Sequence, residues 1–151
     1  KLHGLLALVS LLNISIIEGQ KVSGLFNISE NIIEILANEK KWIINYFIFL
    51  LNLLKIIGYD IDYQKNTSKD YLNLDSLQFS NLSILKSIKF PHLLLNSKND
   101  INFDNANSFF RIFEIILQNH HLNNMNLNIP TNYLKFKKMI LDFLNKNEKY
   151  N

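Results

Sequence analysis

The sequence predicts a mainly α fold: about six helices in one domain, with a small irregular or β insertion near residues 63–80. Three observations predict it. Apolar residues recur at intervals of three and four over most of the chain, which is the helical period. Gly19, Gly24, Gly58, Pro91 and Pro130 fall at the joins between those runs. Tyr59 to Phe79 breaks the period with a polar, turn-rich stretch. A chain of 151 residues that is 48% apolar and 19% charged has the composition of a folded protein with room for one core.

The first segment, Leu2 to about Ile17, is apolar nearly all round, the pattern of a helix enclosed by others. It runs into the loop "EGQKVSG". Asn27 or Ser29 is suited to cap the next helix, because a short side-chain oxygen there satisfies free backbone N–H groups. Ile32, Ile33, Leu36 and Ala37 then recur at helical spacing. After "ANEKK" comes the most apolar run, Trp42 to Ile57. Its length of about 16 residues is short of the roughly 20 that cross a bilayer. Lys41, Asn45, Ile48, Asn52 and Lys55 step by threes and fours, so its polar groups form one narrow stripe on a helix otherwise buried. Gly58 is placed to end it, since glycine takes positive φ without a Cβ clash.

Tyr71, Leu72, Leu74, Leu77 and Phe79 offer at most two short strands. Asn81 to Ile88 reads as a short helix stopped at Pro91. Asp104 is suited to cap a strong helix to about Leu122, with Ala106, Phe109, Phe110, Phe113, Leu117 and His120 on one face. Pro130 suits the first turn of the last helix. That helix, Thr131 to about Asn145, buries Tyr133, Phe136, Ile140, Phe143 and Leu144 and exposes Lys135, Lys138, Asp142 and Lys146.

The chemistry-bearing residues point away from catalysis. With no cysteine, disulfides, thiolate metal sites and cysteine nucleophiles are excluded. No glycine-rich phosphate loop, HExxH or G-x-S-x-G occurs, so neither an enzyme nor a cofactor is expected. His120 and His121 stand about a quarter-turn apart on a helix and do not chelate one ion together, and His3 and His92 show no evident partner. Asp60 with Asp62 and Asp100 with Asp104 read as turn and cap residues. The net charge of +3 is mild. The one functional hint is "YLKFKK", in which Lys135, Lys137 and Lys138, with Lys146 and Lys149 beyond, could meet phosphates while aromatics stack bases. The plainer reading is a solvated lysine face over a core Tyr133 and Phe136.

Three stretches, taken in order, resemble the C-terminal helical part of the bacterial recombination mediator RecO in its alphaproteobacterial form. In "LLALVSLLNISIIEGQKVSGLFNISENIIEIL", Glu18, Leu25 and Phe26 fall where that family has a Glu, a polar loop and a Leu-Phe opening a helix. Phe49, Leu51, Leu53, Leu54, Gly58 and Tyr59 match its spaced leucines and Gly-aromatic pair. "FFRIFEIILQNHHL" followed by "IPTNYLKFKKMI" is similar to its helix ending in His-Leu and its basic last helix. The chain departs from the family at Leu50, usually acidic, at Tyr133, usually Arg, and near Asn66, where many members carry the first cysteine of a zinc site.

The resemblance implies that 1–151 is one RecO-like C-terminal helical domain without the family's N-terminal OB-fold, as either a fragment or a reduced version. It implies a non-catalytic, cytoplasmic and nucleoid-associated DNA repair protein. Its implied partners are single- and double-stranded DNA, RecR and single-strand-binding protein, with Lys135, Lys137 and Lys138 as phosphate contacts. No membrane or small-molecule partner is implied. The rival expectation is a helical protein-interaction scaffold that binds no DNA.

Overall fold

A computed structural model describes residues 1–16, 22–96 and 101–148. Glu18 and Gly19 of the first motif, with Asp100 and Lys149, lie outside the described residues. The order is α1 (Leu2–Ser15), α2 (Leu25–Asn38), α3 (Ile43–Ile56), β1 (Tyr71–Asn73), β2 (Phe79–Ser80), β3 (Ser87–Lys89), α4 (His92–Asn96), α5 (Phe103–Ile116) and α6 (Thr131–Glu148). The fold is mainly helical with a small antiparallel sheet, as the sequence predicts.

The apolar run becomes α3, the centre of the molecule, with Ile44, Tyr46, Phe47, Phe49, Leu50, Leu51, Leu53 and Leu54 all buried. Asn45, Ile48 and Asn52 are half-buried and Lys55 is exposed, so the polar stripe lies where water reaches the helix. Gly58 closes it at φ 103°: its N–H donates to the Lys55 carbonyl (3.1 Å), and the Tyr59 N–H donates to the Leu54 carbonyl (2.8 Å). These two bonds are the crossed pair of a Schellman cap.

The other helices cover α3. On α6, Phe136 packs 4.5 Å from the Tyr46 ring and 6.0 Å from Trp42. On α5, Phe109 and Phe110 pack 4.6 and 5.1 Å from Phe47. The α1 backbone comes close at Gly4, where a Cβ would stand 3.4 Å from Phe136 and 3.6 Å from Tyr46. Here the buried Tyr46 hydroxyl donates to the Gly4 carbonyl (3.0 Å). Burial also holds the Tyr46 phenol neutral by raising its pKa far above the usual value.

Several expectations are corrected. The α1 helix is not enclosed all round: Leu2, Leu6 and Val9, spaced at four and three, are exposed. The α2 helix starts at Leu25 behind Gly24 (φ 80°), with no side-chain cap from Asn27 or Ser29. Asn102, not Asp104, caps α5, its side chain accepting from the Asn105 N–H (2.8 Å). Asp104 instead lies in the first turn, where a carboxylate meets the positive end of the helix dipole. Past Ile116 the α5 pattern continues only as a π-helical turn, Leu117–Leu122.

The expected helix at Asn81 to Ile88 is a loop leading into a third strand. The sheet order is β2-β1-β3, with Leu72 opposite both Phe79 and Ile88. Lys86 at φ 62°, and a Ser87 hydroxyl that accepts from the Ile84 N–H (2.9 Å) and donates to the Ile84 carbonyl (2.6 Å), make a turn where a helix would need continuity. A side chain at Gly58 meets no atom within 4 Å, so its cost is backbone strain alone. Gly58→Ala is expected to lower stability by about 1–2 kcal/mol and Tm by about 2–6 °C, measured by thermal unfolding; an unchanged Tm would reject the Schellman account.

Candidate nucleic-acid interface

The last helix has two faces because its apolar residues keep the 3.6 period. It begins at Pro130, whose carbonyl accepts the first intrahelical bond from the Leu134 N–H (3.1 Å). Tyr133, Phe136, Ile140 and Leu144 point into the core. Lys135, Lys138, Asp142 and Lys146 are exposed. With Met139 and Phe143 they line one shallow depression along the outside of the helix. Among the described residues Lys135, Lys138 and Lys146 enter no ion pair.

Phe143 corrects the expectation of a core residue, being 54% exposed. It stands seven residues after Phe136, which suggests a core position by period. Its neighbour Leu144 already fills the core stripe, and that is the only hint the sequence holds that Phe143 turns outward.

Lys137 separates from the other two lysines. Its Nζ lies 2.8 Å from Glu114 Oε2 on α5, with the side chains 23% and 18% exposed. The other Glu114 oxygen and the Tyr133 hydroxyl are both buried, and the hydroxyl lies beside Glu114 without the geometry of a well-formed hydrogen bond. Burial above all, and then the Glu114 charge beside it, push the Tyr133 phenol well above its ordinary pKa. Lys137 therefore neutralises a half-buried carboxylate, while Lys135, Lys138 and Lys146 face water.

The histidines serve as crosslinks. His120 Nε2 lies 2.7 Å from the Leu74 carbonyl, His121 Nε2 3.0 Å from the Ser15 carbonyl and His92 Nε2 2.8 Å from the Lys69 carbonyl. A carbonyl only accepts, so each Nε2 donates. His92, without an evident partner in the sequence, thus has one. Tyr59 packs 5.7 and 5.8 Å from the His120 and His121 rings and donates to the His120 carbonyl (2.7 Å). Among the described residues no three His, Asp or Glu side chains gather as a metal site.

Fold and face together define a helical domain whose outer terminal helix is basic. Residues 1–69 match the family model described as Recombination protein O C terminal, so this segment of the chain is similar to that family. No curated protein and no solved structure matches the chain. The match covers α1, α2, α3 and the loop after them. The zinc site that the resemblance suggests does not fit this chain, which has no cysteine. Asn66, near the expected first ligand, instead donates from Nδ2 to the Asp62 carbonyl (2.8 Å) in a local turn.

Two substitution series follow from the Lys137–Glu114–Tyr133 group. Tyr133→Phe removes a buried hydroxyl that has no well-formed hydrogen bond and raises the cost of the Glu114 charge beside it, and is expected to leave stability unchanged or raise it by up to about 1 kcal/mol in a denaturant titration. Lys137→Met and Glu114→Gln are each expected to destabilise, while the double variant should recover about 1–2 kcal/mol of the summed loss. Strict additivity in that cycle would show that the pair is not coupled.

Proposed function

We propose that this chain is a non-catalytic DNA repair and recombination mediator. In this reading it binds single- and double-stranded DNA and, with RecR, assists strand annealing or the loading of recombinase onto DNA coated with single-strand-binding protein. Its place is the cytoplasm, at the nucleoid. The observation that carries the reading is the open face of Lys135, Lys138 and Lys146 on a helix whose inner side packs on the matched segment. Phe136 against Tyr46 and Trp42 is the contact that joins them. Lysines facing water on one side of a helix reach successive phosphates and release counterions, which makes binding electrostatic and independent of sequence.

We take 1–151 as one domain. The support is a continuous core, which runs from Ala7 through α3 to Leu144 and does not divide at residue 69. The rival reading, a protein-interaction scaffold, draws on the loop after β2. There Leu82, Ile84 and Leu85 are exposed by 72%, 51% and 87%. The loop is held by bonds from the Ser80 hydroxyl to the Leu82 carbonyl (2.7 Å) and from Asn73 Nδ2 to the Leu85 carbonyl (3.3 Å).

The test is a titration with labelled single-stranded DNA at rising salt. Replacing Lys135, Lys138 and Lys146 together with Ala is expected to reduce the slope of log affinity against log salt by about 2, near 0.7 for each phosphate no longer neutralised. Lys137→Ala is expected to leave that slope unchanged. Wild-type protein that fails to bind at low salt would overturn the DNA reading in favour of the scaffold.

A further inference from the structure

An exposed aromatic at the edge of a lysine stripe offers a base a face to stack on, which the lysines do not. Phe143 has no aromatic partner within the described residues, and its ring is more than half open to water. It stands four residues after Met139 and three before Lys146, on the border between the core stripe and the charged one. Lys135 to Lys146 spans about 16 Å at 1.5 Å per residue, the rise of about five nucleotides of one strand. Phosphates held by these lysines bring bases within reach of the ring.

We infer that Phe143 is a base-stacking residue and makes this face select single-stranded over duplex nucleic acid; the inference rests on the DNA-binding reading above. In a duplex each base is already stacked and paired, and offering its face to Phe143 requires unstacking it at a cost of a few kcal/mol. A single strand has that face free. Asp142 favours the same choice. It lies four residues from both Lys138 and Lys146, so its carboxylate repels a phosphate held rigidly over the middle of the stripe. The backbone of a single strand can turn away at that point and present a base instead. Lysines alone would not discriminate in this way, since their attraction for phosphate is indifferent to base exposure.

The experiment compares binding of a labelled thymidine oligonucleotide of about 15 residues with that of a blunt duplex of equal length, for the full chain and its Phe143 variants. Phe143→Leu is expected to weaken binding of the single strand at least about fivefold and leave duplex binding unchanged, and Phe143→Tyr to restore it. Asp142→Asn is expected to tighten duplex binding more than single-strand binding. Circular dichroism checks that each variant keeps its helical content, as replacing an exposed ring should. Equal losses on both ligands, or no loss on either, overturn the stacking role while leaving the DNA reading intact. Wild-type binding of neither ligand overturns both.

Discussion

The α3 helix buries eight of its side chains, among them three aromatics and four leucines, and a helix of that composition has to be covered on nearly every side. The cover comes from α1, α2, α5 and α6, and their positions follow from which α3 side chains need partners. Tyr46 is the demanding one. Its ring must be enclosed while its hydroxyl finds an acceptor, and the Gly4 carbonyl meets both needs because a residue without Cβ lets the α1 backbone come close. The same enclosure brings Phe136 onto Tyr46 and fixes which side of α6 faces inward. The orientation of the lysine face is thus a consequence of how α3 is buried.

Histidine donors tie the second half of the fold to the rest. His121 bonds the end of α1, His120 bonds the segment after β1, and His92 bonds the loop before it. Tyr59, directly after the Schellman cap, packs against both neighbouring histidines and joins them to α3. Adjacent in the π-helical turn Leu117–Leu122, the two histidines point apart and reach carbonyls in two different parts of the chain. Ile61 and Phe90 are buried, Tyr63 stacks on Phe90 at 6.1 Å, and Phe90 packs 4.8 Å from the His92 ring. The loop after the cap is held by the Asn66–Asp62 hydrogen bond, the Lys65–Asp62 pair and the stacking of Tyr63 on Phe90.

What could be read from the sequence was what local chemistry and period decide. The α3 stripe, the Gly58 cap and the inward residues of α5 were legible because each depends on spacing within one helix. Asn81 to Ile88 was not. Its apolar residues fit a helical period, but the pairing of Ile88 with the distant Leu72 decided the outcome, together with the local turn at Lys86 and Ser87. The N-caps were misplaced by two or more residues: Asn102 is as competent a cap as Asp104, and α2 starts behind Gly24 with no side-chain cap. Tertiary packing chooses among such candidates.

The candidate site shows the same division one level higher. Lys135, Lys137 and Lys138 are alike in sequence, yet α6 rotates by about 100° per residue, so that 137 and 138 cannot share an environment. The side chain at 137 is carried toward α5, where Glu114 would otherwise be a half-buried charge without a counterion. The residue that joins the outward face in its place is eleven positions from Lys135, at Lys146, three whole turns along the helix. A cluster in sequence is therefore a poor guide to a cluster in space on a helix. What sets an open lysine stripe is which lysines are left without a carboxylate once the core has packed.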